Sequence, residues 1–447
     1  MGYTVVQRII SPDSDIFGFC VENSGKAKLL YNAALYRIRN IFTGYDKQNR
    51  TANEKEVFME VDATLAAYPT AKVHKAVSYN FLEKLMRATR NPDFFSGLPM
   101  QTAQAVVKKE ADDFRNWLAS VNKYKKSPEG FSGRPGMPGY KKNSMCTFTV
   151  TNQDAVLYPS DNGVSLKLPG IKARTAFSNI SGDAVLKQVE IKPYYGRFLM
   201  VLVFEEPDLT VPEDMPYVCA VDFGVDNFAA IVCNDNSSAL YKGGAVLAES
   251  QWFHKKKAEY TGIISKGHVR THADSERLRN LSFHHANFVK DQCHKISTLI
   301  ISYCIEHRAG TIVLGTNRFW KQKSSIGRVN NQNFVSMPVS TLQKMITYKA
   351  LKKGIKVIEQ EESYTSRADA TSGDYIPTYG VDDEKADFSG RRIKRGLYRC
   401  GSGLVINADC NGAANIMKKA IHGVWLKTVD FSFLANPRTF GFHEVNP

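Results

Sequence analysis

Residues 217–235 read YVCAVDFGVDNFAAIVCND: two apolar runs joined by a polar turn, with Asp222 where the first run ends. The runs predict buried strands over 217–223 and 228–233, and the FGVDN between them fits a hairpin connection. Later segments of the chain must cover that sheet. A short strand near 240, a helix from about 246 and a long helix from about 273 to 308 come first. Then GTIVLG (310–315) reads as a strand, STLQKMITYKALKKG (340–354) as a helix and IKVIEQE (355–361) as a strand. A loop-rich stretch runs to about 403, and LVINAD then leads into the helix CNGAANIMKKAI. Strands followed by strand–helix alternation predict a mixed α/β sheet with helices on its faces.

The first half is patterned differently. MGYTVVQRII alternates as a short strand, and 26–124 repeats apolar positions at three and four, as in KAKLLYNAALYRIRNIF. From 145 to 205 the segments alternate or run apolar between turns, which predicts a small β domain. PDLTVPEDMP (207–216) is an acidic, Pro-punctuated linker and marks a domain boundary. A chain of 447 residues suggests two to four domains.

The net charge of +15 favours a polyanionic partner. It is clustered in NKYKKSPEGFSGRPGMPGYKKN (122–143), where Lys123, Lys125, Lys126, Arg134, Lys141 and Lys142 face one acid, Glu129. Gly and Pro there predict a basic loop, and Tyr124, Phe131 and Tyr140 among the cations suit phosphate contact with base stacking. Eight scattered cysteines read as reduced thiols of a cytosolic protein, and no tract is long enough to span a bilayer.

A lone buried carboxylate costs several kcal/mol unless a positive group meets it. Asp222 ends one strand, Gly224 lets the backbone turn, and Asp409 stands at the start of a late helix, as a cap or as a ligand. Two carboxylates from distant segments repel unless a divalent ion lies between them, and oxygen-only ligands suit Mg²⁺ or Mn²⁺. A D-x-G after a strand also opens actin-like ATPases, but no later Gly-rich phosphate loops are found.

VDFGVDNFAAIV, GTIVLGTNRFWKQ, GIKVIEQEESYTSRA and INADCNGAANIMKK, in that order, resemble the C-terminal half of the TnpB/OrfB family. These are transposon-encoded RNA-guided DNA nucleases, close to the compact type V CRISPR effectors. GLPMQTAQAVVKKEADDFRNWL and FSGRPGMPGYKKN resemble the family's first half. The resemblance implies a multidomain α/β fold: an RNase H-like RuvC nuclease domain behind a wedge-type β domain interrupted by a helical recognition insertion. The implied boundaries are 1–15 and 122–213 for the wedge and 16–121 for the helical domain. RuvC takes 214–360 and 396–447, and a degenerate zinc-ribbon-like, target-binding insertion takes 361–395. It also implies an Mg²⁺-dependent endonuclease cutting double-stranded DNA beside a short flanking motif, leaving 5′-phosphates. The partners would be a guide RNA and target DNA, and the setting a monomeric protein in a prokaryotic cytoplasm.

Two departures stand out. The family's active site is Asp, Glu, Asp, yet the Glu position at the end of TIVLG is Gly315 or Thr316. A side chain from the next strand, in Glu359, Glu361 and Glu362, would fill that space. Neighbours on a strand face opposite ways, so one of Glu361 and Glu362 does this, with Glu361 preferred. The expected catalytic set is therefore Asp222, Glu361 or Glu362, and Asp409, with metal on Asp222, Glu361 and Asp409. A nuclease-dead DNA-binding repressor and a guide-independent RuvC-like nuclease are the alternatives. The second departure is that, of the family's two Cys pairs, only Cys400 remains, so no structural zinc is expected. Tyr, Ile and Pro packing should hold that region, with Asp374, Asp382, Asp383, Glu384 and Asp387 as surface charge. Arg391, Arg392, Lys394, Arg395 and Arg399 would grip target-strand phosphates. Lys255, Lys256 and Lys257 with His254 would line the guide–target duplex, and Asn317, Trp320 and Lys321 would order the site. His284, His285 and His294 read as structural or RNA-facing.

Overall fold

The computed structural model describes residues 2–178, 180, 184–206, 215–265, 274–316, 338–382, 386–424, 428 and 430–445. The chain divides into two compact units, Met1–Asp208 and Leu209–Pro447. Most of the expected linker, 207–214, lies outside the described residues, as do Asn317, Trp320, Lys321, Asp383 and Glu384.

In the first unit β1 (Gly2–Ile10) is followed by helices α1 (Phe17–Gly44), α2 (Ala52–Ala67), α3 (Tyr79–Ala88) and α4 (Met100–Lys126). Strands β2 (Phe148–Thr151), β3 (Val156–Ser160), β4 (Gly163–Lys167), β5 (Arg174–Ser178), β6 (Leu186–Tyr194) and β7 (Arg197–Glu206) come next. The order β1-β7-β6-β2 makes one antiparallel sheet, and β3-β4-β5 a second. Since β1 pairs with β7 near the unit's end, the four helices are an insertion within a β framework. Thr51 and Glu54 form a capping box on α2, and Ser78 caps α3. α4 buries Ala103, Val106, Val107, Ala111 and Phe114 at helical spacing. It also runs through Lys123, Lys125 and Lys126, which the sequence assigned to a loop; the first breaker is Pro128, so the three lysines sit in the last turn and favour the helix dipole.

The second unit holds β8 (Tyr217–Asp222), β9 (Asn227–Cys233), β10 (Ser237–Lys242), α5 (Gly244–Ser265), α6 (Glu276–Glu306), β11 (Ala309–Thr316), α7 (Val339–Lys352) and β12 (Lys356–Glu361). Then come β13 (Arg391–Lys394), β14 (Leu397–Arg399), β15 (Val405–Asn407), α8 (Ala408–Ala420), β16 (Arg438–Phe440) and α9 (Phe442–Val445). The main sheet runs β12-β11-β8-β9-β10-β16. β8, β9 and β10 form an antiparallel meander, while β11 and β12 are added parallel beside β8. A three-strand meander extended by two parallel strands from its first member is the RNase H arrangement. One face packs on α6 and α7 through Cys219, Val221, Ile296, Ile300, Leu342 and Ile346. The other packs on α8 through Ala220, Ala230, Val313, Ala413, Ile416 and Met417. Strand alternation therefore turns Asp222, two residues after Ala220, toward α8.

Two elements differ from the sequence reading. The LVINAD strand, β15, lies outside the main sheet and pairs with β14 in a small sheet β13-β14-β15. The stretch read as loop to about 403 contains the β13–β14 hairpin, turned at Gly396 with φ +82°. No described helix is long and apolar enough to cross a membrane.

Candidate active site

Asp222 is the last residue of β8 and lies beside the first half of α8. A Cβ at Gly412 would stand 2.4 Å from Asp222 Oδ2, so only glycine leaves the carboxylate its place. At Gly315 a Cβ would meet Ile416 Cδ1 at 2.7 Å and Glu362 Oε2 at 2.9 Å. The space over Gly315 thus holds the Glu362 carboxylate, whose Oε2 is buried. Glu362 is one residue past β12, yet its N–H still donates to Thr316 O at 3.2 Å and continues the ladder. Ile358 packs on the α8 side of the sheet, and alternation carries Gln360 and Glu362 to that side.

Glu361, the acid preferred on the sequence, is engaged elsewhere. Its carboxylate accepts from Ser363 N at 2.7 Å and pairs with Lys419 Nζ at 2.6 Å, so it is spent on the local turn and on α8. Glu359 is exposed.

Asp409 lies in the first turn of α8 but does not cap it. Asn407 does, accepting from Asp409 N at 2.9 Å and Cys410 N at 3.1 Å. The Asp409 carboxylate is left to accept from Asn227 Nδ2 at 2.6 Å, with the Arg392 guanidinium 3.7 Å away. Asn227, the first residue of β9, is buried, and its Oδ1 has no hydrogen-bond partner among the described residues. Burial, then Glu362, then Asp409 push the Asp222 carboxyl well above the usual carboxylate range. Three acids from β8, the end of β12 and the start of α8 therefore share one field.

Among the described residues no three acidic, His or Cys side chains are drawn up as a finished metal site. The donor set nevertheless fits a hard divalent cation: oxygen ligands only, glycines where side chains would crowd them, and a spare buried amide oxygen. The sequence reading missed Asn227, Asn407 and Gly412. Asn two residues before Asp409, at a helix start, was the available signal that the cap was already taken.

The other expected residues are spread over both units. Arg395 pairs with Asp226, in the β8–β9 connection, at 2.5–2.6 Å, while Arg391 and Lys394 are exposed on β13. Lys255 is exposed on α5, and Lys256 pairs with Glu259 at 2.9 Å. In the first unit Arg134, Tyr140, Lys141 and Lys142 are exposed on a strap fastened to the helices. Asn32 bonds both ways with the Lys141 backbone, at 3.1 and 2.8 Å, and Trp117 Nε1 donates to Pro135 O at 3.1 Å. Arg39 lies over the Tyr140 ring at 5.3 Å. His285 stacks on Phe253 at 4.0 Å, a packing role, and burial pulls it down to about 4.

The 361–401 region is held by acids as well as by apolar packing, in which Ala370, Tyr398 and Cys400 join the core and Pro377 is buried. Asp369, fully buried, accepts from Thr371 N at 2.8 Å, Thr371 Oγ1 at 2.7 Å and Gly401 N at 2.8 Å. Asp374 accepts from Asp369 N at 2.9 Å and Ser389 Oγ at 2.8 Å, and these bonds outweigh burial and keep it below its ordinary range. Asp382 accepts from Thr378 N at 2.6 Å. Of the acids expected as surface charge, Asp374 and Asp382 are instead half-buried and hydrogen-bonded, while Asp387 is exposed. Cys400 is buried beside Asp369.

The sheet has the RNase H arrangement, with Asp222 at the end of a central strand, Glu362 just past the edge strand β12 and Asp409 at the start of α8, and known proteins resemble it. The OrfB_IS605 model, "Probable transposase", matches residues 201–320, and the Cas12f1-like TNB domain model matches 340–416. A TnpB-like protein, ORF457, of Acidianus two-tailed virus is 28% identical over 213 residues, covering 46% of this chain and 42% of that protein. The CRISPR-associated endodeoxyribonuclease Cas12f1 of Sulfoacidibacillus thermotolerans is 28% identical over 214 residues, 45% and 46% of the two. The match thus spans less than half of either relative. A solved Cas12f1–sgRNA–target DNA complex aligns with a TM-score of 0.49 at 14% identity, over 90% of this chain and 82% of that one. The chain is TnpB/Cas12f-like, as its motifs implied.

Proposed function

We propose that this chain is an RNA-guided, divalent-metal-dependent DNA endonuclease that cuts double-stranded DNA beside a short flanking motif. The observation that carries the reading is Glu362 entering over Gly315 toward Asp222, which supplies the acid the sequence lacks at 315. Asp222, Glu362 and Asp409 would hold Mg²⁺ or Mn²⁺. Bound there, the metal would supply an activated water and a counter-charge for the leaving oxygen.

The chain's own groups prepare that site. Asn407 takes over the capping of α8, so the Asp409 carboxylate faces the site rather than its own helix. Asn227 fixes that carboxylate's orientation through Oδ2. Arg392, beside Asp409, would meet a phosphate of the strand being cut, and Arg395 would move from Asp226 to the next. The strap bearing Arg134, Tyr140, Lys141 and Lys142 would hold guide RNA by phosphate contact and stacking. The kinship with Cas12f endodeoxyribonucleases and TnpB-like proteins supports RNA guidance.

The test is cleavage of a plasmid carrying target and flanking motif by protein purified with its own RNA. Mg²⁺-dependent cutting abolished by Asp222→Ala bears the reading out. Guide-dependent binding without cutting makes the chain a repressor. Cutting by RNA-free protein on branched DNA makes it a guide-independent nuclease.

A further inference from the structure

The second unit carries a cavity of about 440 Å³ between residues 370–376 and the end of α8 with the residues just after it. Tyr375, Ile376, Val424 and Phe431 give it apolar and aromatic walls, and Lys418 and His422 give it polar ones. The size falls in the range that takes small organic ligands. Lys418 Nζ donates to Ser372 O at 2.7 Å and Asp369 O at 3.5 Å, and among the described residues no carboxylate lies within ion-pair distance of it. Its charge is therefore solvated by carbonyls, with Asp374 and Asp369 near enough to act on it but not in direct ion pairs with it. The acid in the wall, Asp374, is turned onto Asp369 N and Ser389, where its oxygens are already used.

We propose that this cavity receives one nucleobase of single-stranded nucleic acid, stacked on the aromatic wall, with Lys418 facing its polar edge or phosphate. The inference deepens the nuclease reading and rests on it for the identity of the strand. Lys419, whose ion pair with Glu361 joins the cavity wall to the chain next to Glu362, lies ten residues along α8 from Asp409, or roughly 15 Å. A strand with one phosphate at the carboxylates would lay a base a few nucleotides away over the cavity, which would fix its register for cutting.

Affinity of the full-length protein for a short oligothymidylate is compared with that for an abasic deoxyribose-phosphate strand of equal length, by anisotropy in EDTA. Gly373→Trp places a bulky side chain at the cavity lining, where a Cβ meets nothing within 4 Å. Tyr375→Ala removes a half-exposed ring whose hydroxyl donates to Asp382, and Tyr375→Phe, which drops that bond and keeps the ring, controls for its loss, so this pair decides the matter if the tryptophan variant fails to fold. The wild type should prefer the base-bearing strand by about tenfold or more, the worth of one stacked base. Both variants should lose most of that preference with abasic binding unchanged, and Tyr375→Phe should restore it. A folded variant pair that keeps the preference within about twofold of wild type, or a wild type with none, overturns the proposal. No cleavage is read in EDTA, so a chain that fails to cut target with Mg²⁺ refutes the nuclease reading without touching this result.

Discussion

At Gly315 the space that a side chain would fill belongs to Glu362, and at Gly412 it belongs to Asp222. Both glycines are required by what stands beside them rather than by their own backbone. Glu362→Gln should lower target cleavage by about a hundredfold or more, because a metal-binding carboxylate is worth several kcal/mol. Glu361→Gln should cost less than about fivefold, since that acid serves Lys419 and Ser363. Plasmid nicking rates at fixed Mg²⁺ separate the two. In the first unit Glu110 is fully buried, with neither oxygen hydrogen-bonded among the described residues. Burial, aided by Asp113, raises its carboxyl from 4.5 to about 7. The folded state therefore keeps a proton that the unfolded state releases, and the stability this confers is present below 4.5 and lost as pH rises through about 7. Glu110→Gln should match wild type near pH 4 and melt higher at pH 8. The difference would be up to about 3 kcal/mol, read by thermal unfolding across that range.

Among elements, those with long apolar periods were legible: the β8–β9 hairpin, β11, β12 and helices α1, α4, α6, α7 and α8 all come from spacing. The small sheet was not. β13 is RRIK with every residue exposed, so it has no apolar alternation to read, and its pairing comes from the turn at Gly396. β15 is three residues long, and sequence cannot tell which sheet so short a strand joins. Of the proposed site, the acids Asp222 and Asp409 were legible as candidates. The choice between Glu361 and Glu362 was not, because it depends on which face of β12 packs on α8. Nor was the role of Asp369, an acid among acids until its donors from 371, 389 and 401 are seen. Asp369→Ala strands buried donors at two separate turns, so it should destabilise residues 369–401 by about 3 kcal/mol. Hydrogen exchange at the 389 and 401 amides would read this, and EDTA on the wild type should leave the same amides protected.

On the scale of the whole chain, a net charge of +15 sets the strength and salt dependence of nucleic-acid binding, but only lysines and arginines free to meet phosphate contribute to it. A lysine held by a carboxylate has its counter-charge already and releases few ions on binding. Lys141 and Lys142 are exposed on a strap whose backbone is fastened at Asn32, so their charge is held in place at little entropic cost. Lys256, by contrast, is paired with Glu259. Replacing Lys141 and Lys142 with Gln should reduce the slope of log affinity for RNA against log salt by roughly 0.7–0.9 per lost phosphate contact. Lys256→Gln should change it by much less. Filter-binding titrations of purified RNA at several salt concentrations would measure both, and equal slopes for the two variants would mean that the strap is not where RNA phosphates are met.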